Sequence, residues 1–351
     1  MTFEKKILGE MPKCYALGMF EGEDTPSFLA AVEKDGPIRR FTLDGEPLET
    51  VAPGPGGVMT ITQVPGRKDQ FLATRKFFSP NFGGDDAAIA SYTRQADGSW
   101  SEQILCDLPY VHRFGILKAA DGQLWVLAWS IKGGAETGVK DDWRTPGAVW
   151  AAPLSDNLEQ YTADNQLKLT CVANYQVQNH GFWTAADKSY ALISTAAGVF
   201  RYVPPTTPEG AWDVTCLLVQ PTSDIVATDF DGDGKLEILT FSKFHGDTLA
   251  IWHEGQTRDR YEQVWCDPQK RSFLHALWAA DLNGEKCAVI GNRKDGRDLL
   301  LVRYVDGEYT VDVIDHDLGP ANCMVYRHDG SDYIVAAYRE TDQLALYKVV
   351  E

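Results

Sequence analysis

A phrase recurs along this chain: an apolar run enters a short polar turn, and a second apolar run leaves it. LHALWAADLNGEKCAVIGNRKDGRDLLLVRY (274–304) superposes on DIVATDFDGDGKLEILTFSKFHGDTLAIWH (224–253). VHRFGILKAADGQLWVLAWSIK (111–132) and HGFWTAADKSYALISTAAGVFRY (180–202) follow the same pattern, and weaker copies occupy 15–41, 58–77 and 322–349. Seven copies, most of them roughly 40 to 50 residues apart with several strands each, are the mark of a β-propeller. One four-stranded blade cannot bury both its faces, so neighbours must supply the core. Helical periodicity is hard to find.

The reading is therefore all-β, a seven-bladed β-propeller. Residues 1–351 are expected to form a single domain with blades beginning near residues 11, 56, 110, 178, 222, 272 and 319. Full copies end on a fourth strand, as in SWSEQILCDL (99–108) and YEQVWCDP (261–268), whereas the last stops at Val350 after its third. MTFEKKIL resembles those fourth strands. Residues 2–8 are thus expected to complete the last blade, closing the ring and removing two open sheet edges. The insert at 132–147 and the stretch 204–210 read as loops.

Composition narrows the function. A net charge of 33 − 50 = −17 sets the chain against nucleic acid and anionic membrane as partners. No apolar run is long enough for a membrane span, and the first residues carry no signal-like apolar core, so a cytoplasmic protein is expected. The seven cysteines are scattered, with no C-x-x-C pair, and read as reduced thiols. No G-x-S-x-G elbow, P-loop or dinucleotide fingerprint is found.

DFDGDGKLE sets Asp229, Asp231, Asp233 and Glu237 on a tight turn. Alternating acids with glycines between them can wrap several oxygens round a hard cation, Ca²⁺ or Mg²⁺. The bland reading is a metal-free acidic turn held by side-chain-to-backbone hydrogen bonds. Because this turn joins the first and second strands of its blade, it should lie away from His245, in the loop after the second strand. The pattern resembles the loop of FG-GAP or VCBS propeller repeats.

Four of the seven histidines hold related positions. His112, His180 and His275 stand at the start of innermost strands, and His245 follows a second strand whose loop returns to the same face. Together they should ring one funnel. His112, His180 and His245 could hold a divalent transition metal, Zn²⁺ or Mn²⁺, leaving a position for substrate. An imidazole outside the ligand set, such as His275, would serve as general acid or base. Arg75, Lys76, Arg293, Lys294 and Arg339 occupy equivalent loops and could bind hydroxyls or an acidic group. Trp129, Trp183 and Trp278 could stack on a sugar ring, or be core. Asn322 could donate to a ligand. His253, His316 and His328 read as bland.

In VHRFGILKAADGQLWVLAW, NHGFWTAADKSYALI, FSKFHGDTLAIWH and FLHALWAADLNG the chain resembles the propeller domain of the aldos-2-ulose dehydratase (1,5-anhydro-D-fructose dehydratase) family, over about half its length. That resemblance implies removal of water from keto-sugars, with His112, His180, His245 and His275 as the metal and acid/base set and Asp229, Asp231 and Asp233 as a structural ion site. The expected function is a metal-dependent carbohydrate lyase or dehydratase acting on a small-molecule sugar by proton abstraction next to a carbonyl. An epimerase or isomerase using the same chemistry, and a non-catalytic propeller binding carbohydrate or protein, are the alternatives. A hydrolase using paired carboxylates is weaker, since Asp141 and Asp142 have no identifiable partner acid.

Overall fold

The computed structural model describes residues 1–81, 83–134 and 139–350. Residues 135–138 of the insert at 132–147 lie outside the described residues. Seven four-stranded antiparallel sheets make up a seven-bladed β-propeller. The innermost strands are Cys14–Glu21, Ile61–Gln63, Val111–Lys118, Phe182–Thr184, Thr222–Thr228, Leu274–Leu282 and Pro320–His328. In the seventh sheet the fourth strand is N-terminal: Thr2–Glu10 pairs with Gln343–Val350, from Thr2 opposite Val350 to Glu10 opposite Gln343. The chain so closes its ring and covers what would be a free edge.

Burial explains the repeated phrase. Second strands such as Leu124–Ser130 and Ser331–Tyr338 are buried along almost their whole length, because both faces of a blade are covered. They read accordingly as continuous apolar runs. Fourth strands such as Tyr261–Cys266 stay largely open and are rich in polar residues. Among the described residues no α-helix occurs, and Leu158–Gln160 forms a single 3-10 turn. Among the described residues no helix is long and apolar enough to cross a membrane.

The chain divides into two compact units. The first comprises Met1–Tyr15, Ala196–Phe200 and Thr215–Glu351, and the second Ala16–Thr195 and Arg201–Val214. In the first unit, Cys287, Val289, Leu299, Leu301, Ile334, Ala336, Tyr338 and Tyr347 belong to one buried cluster. In the second, Phe20, Phe71 and Tyr92 pack with Trp100; the Phe71 and Tyr92 rings stack at 5.0 Å.

Candidate functional site

In the second unit His112 is the second residue of the third blade's innermost strand. The pairing with the next strand shifts between Val111 and Arg113, so a β-bulge falls on the histidine. A bulge leaves one residue out of the ladder and re-aims its side chain. His180 stands two residues ahead of its strand, Phe182–Thr184, rather than within it as the sequence suggested. Its N–H donates to the Ser194 carbonyl, and Ser194 Oγ accepts the N–H of Gly181. Both imidazoles are buried, with ring centroids 4.8 Å apart, and Phe77 meets His112 edge-on.

In the first unit the same bulge recurs. It falls on Ser223 in the fifth blade, His275 in the sixth and Ala321 in the seventh. His275 Nδ1 lies 2.7 Å from the Ala321 carbonyl oxygen, so that nitrogen carries the proton and donates. The lone pair of Nε2 then faces the Tyr15 hydroxyl at 3.4 Å. His245 lies in a loop where Lys243 and His245 both adopt positive φ, 32° and 49°. Such a backbone is costly for residues other than glycine and persists only when its surroundings enforce it. Here Ser223 Oγ accepts the His245 N–H, and the Gly246 carbonyl accepts the N–H of Leu274. Those bonds bring His245 within 5.2 Å of His275, ring to ring, with Phe273 stacked on His245 at 4.3 Å. Each unit thus pairs two of the four histidines.

The cations are largely committed. Arg75 pairs with Glu102 at 2.6 Å, and Arg293 and Arg339 share Glu340. Burial works to raise the Glu340 carboxyl, but the two guanidiniums outweigh it and hold it below its usual range. Arg293 and Lys294 also lie over the Phe273 ring, at 4.8 and 5.1 Å. Lys76 is at a positive φ of 58°, its N–H bonded to the Gly56 carbonyl. Asn322 accepts the N–H of its neighbour Cys323. Trp129 is wholly buried, which settles it as core rather than a sugar platform, whereas Trp278 is half-exposed in a cleft beside Asp281, Asn283 and Arg327. Asp142 is held by Arg144 at 2.8 Å. Sequence reasoning passed over Lys132, wholly buried in the second unit, its ammonium 4.8 Å from the Trp143 ring centroid. Burial lowers its pKa against the pull of Asp142, Asp141 and Asp85. A lysine closing an apolar strand was the only signal available.

The aspartate turn lies at the opposite end of the strand Glu237–Ser242 from His245. Asp229 accepts the N–H groups of Gly232 and Gly234, Asp231 that of Asp233, and Asp233 that of Lys235. Gly232 and Gly234 sit at φ 78° and 89°, which is why this turn needs glycine there. Glu237 is fully buried and accepts from the Phe230 N–H and the Tyr309 hydroxyl. Burial pushes its carboxyl up, and the Asp231 carboxylate pushes the same way. Oxygens of Asp229, Asp231 and Glu237 lie within 4.8 Å of one another. His253, read as bland from sequence, reaches this turn: its Nε2 is 3.1 Å from Asp233 Oδ2.

No known family and no curated protein matches the sequence. Solved structures share the fold. A streptogramin B lyase superposes with a TM-score of 0.60 at 15% identity, covering 99% of this chain and 98% of its own. A candidate 6-phosphogluconolactonase from Bacteroides uniformis gives 0.56 at 15% identity, over 95% and 92% of the two chains. A second such protein, from Bacteroides fragilis, gives 0.59 at 12% identity, over 95% and 90%. At these identities the likeness establishes the propeller and nothing finer.

Proposed function

We propose that the protein is a metal-dependent carbohydrate lyase or dehydratase acting on a keto-sugar or keto-glycoside, with His112, His180, His245 and His275 as its metal and acid/base residues. The observation that carries this reading is the repeated use of one bulged strand position. It presents His112 and His275 directly, and through Ser223 it holds His245. Bulges of this kind re-aim side chains beside active sites. The donor set suits a borderline transition ion, because His275 Nδ1 is anchored on a carbonyl and Nε2 can exchange its long 3.4 Å contact with the Tyr15 hydroxyl for an ion. That anchor favours His275 as a ligand. The strand-start reading had put His112 in its place.

When bound, Zn²⁺ or Mn²⁺ would supply Lewis-acid polarisation of the substrate carbonyl. The fourth imidazole, His112, takes the proton from the carbon beside that carbonyl. The C–H electron pair forms the new C=C bond, and the bond from the next carbon to oxygen breaks. The imidazolium returns its proton to the departing oxygen, which leaves as water or as an alcohol. Phe244 and Phe273, packed on His245, narrow water access to that ring.

Metal content of untagged protein tests the reading, measured after supply of Zn²⁺ or Mn²⁺ alongside His180→Ala and His245→Ala. Both variants should lose one and the same equivalent, together with formation of an ultraviolet-absorbing enone from keto-sugars. A full metal complement in either variant would end the proposal.

A further inference from the structure

On the third strand of the fifth blade, Leu249–Glu254, His253 turns its ring toward the aspartate turn. Its Nδ1 lies 2.8 Å from the Glu254 carbonyl oxygen. A carbonyl only accepts, so Nδ1 carries the proton. Nε2 then faces Asp233 Oδ2 at 3.1 Å. Ligand atoms of Asp231, Asp233 and His253 lie within 4.8 Å of one another.

Turn chemistry does not account for the imidazole. The amides of Gly232, Asp233, Gly234 and Lys235 are satisfied by the turn's own carboxylates, and His253 comes from another strand. Glu237 does not compete for the place, since it is buried and bonded to Phe230 and Tyr309. What faces outward is therefore two carboxylates and one imidazole anchored through its second nitrogen, the arrangement by which proteins orient a metal-ligating histidine. A cleft of about 590 Å³, lined by Trp265, Tyr304, Glu308 and Tyr309, opens on these three side chains and leaves room for a further ligand.

We propose that Asp231, Asp233 and His253 form a three-ligand site for a transition ion of the Zn²⁺ class, with an open coordination position toward that cleft. The site stands independently of the imidazole set in the proposed function. Its nitrogen donor departs from the all-oxygen Ca²⁺ or Mg²⁺ site that the acidic motif suggested, because those ions take oxygen ligands whereas imidazole suits Zn²⁺ and its neighbours.

The test uses the full chain carrying His180→Ala and His245→Ala, so that the other ion site is removed. The protein is stripped with a chelator, dialysed and titrated calorimetrically with Zn²⁺ and with Ca²⁺. One equivalent of Zn²⁺ should bind, about tenfold or more tighter than Ca²⁺, and His253→Gln should weaken Zn²⁺ by about tenfold or more while leaving Ca²⁺ unchanged. Asp231→Asn should weaken both, and circular dichroism checks the fold of each variant. No Zn²⁺ binding in the double variant, equal affinity for the two ions, or indifference to His253→Gln would each overturn the proposal. Failure of the proposed function is seen separately, as equal Zn²⁺ stoichiometry in wild type and double variant.

Discussion

Arg40 shows how much a single residue can hide in a sequence. Its neighbour Arg39 is partly exposed, but strand alternation turns Arg40 wholly inward. There Nε donates to Ser27 Oγ at 2.7 Å, and the guanidinium reaches Asp24 at 2.5 Å and Glu49 at 2.9 Å. Phe20 covers it at 5.0 Å. Both acids keep some contact with water, so Arg40→Met should cost about 2–3 kcal/mol, less than breaking a fully buried pair, as measured by denaturant unfolding. Arg40 chiefly holds Asp24 near a pKa of about 2, down from 3.8. A lowered carboxylate stabilises the fold above its ordinary value and ceases to do so as it is protonated. The stability gap between wild type and Asp24→Asn should accordingly be full above pH 4 and close as pH falls toward 2. A gap that persists at pH 2 would show that the carboxylate charge is not what matters. His253 was illegible for a related reason: its partners lie 20 residues away, and only the strand register brings them together.

At the scale of elements the repeat was legible because second strands, covered on both faces, are written as unbroken apolar runs. The bulges were not. One extra residue leaves no compositional mark, so the sequence placed histidines at strand starts without showing how they turn. Strands as short as Ile61–Gln63 and Phe182–Thr184 were equally hidden, which is why His180 falls ahead of its strand. The N-terminal strand could be read from its likeness to other fourth strands, and its side chains show what secures it. Lys5 pairs with Asp315 at 2.7 Å, the Tyr347 hydroxyl donates to the same carboxylate at 2.6 Å, and Tyr338 meets Tyr347 hydroxyl to hydroxyl. Burial works against the Asp315 charge, but Lys5 and Tyr347 prevail and keep its pKa low. Lys5→Met should cost no more than about 1 kcal/mol, since the pair is partly exposed. Removing residues 1–10 should be far worse, because it bares the whole edge of Gln343–Val350. Light scattering on that truncated chain should show self-association. A monomer of unchanged stability would mean that this edge needs no cover.

For the whole molecule, the charge of −17 makes two effects of added cations easy to confuse. Any salt screens the mutual repulsion of the carboxylates and so favours the compact state. A bound ion acts differently, stabilising by mass action as the logarithm of its free concentration over Kd. At a free concentration a hundredfold above Kd that amounts to about 2.7 kcal/mol. In a chain of this size it corresponds to a rise in Tm of about 4 °C. At matched ionic strength, Zn²⁺ should therefore raise the thermal midpoint of metal-stripped protein further than NaCl does. The rise should shrink in the His180→Ala/His245→Ala variant and shrink again, to about half of what remains, when His253→Gln is added, because the weakened site is then occupied at only about tenfold above its Kd. An equal rise in all three proteins would assign the effect to the acidic surface as a whole, and both metal proposals would lose their thermodynamic support.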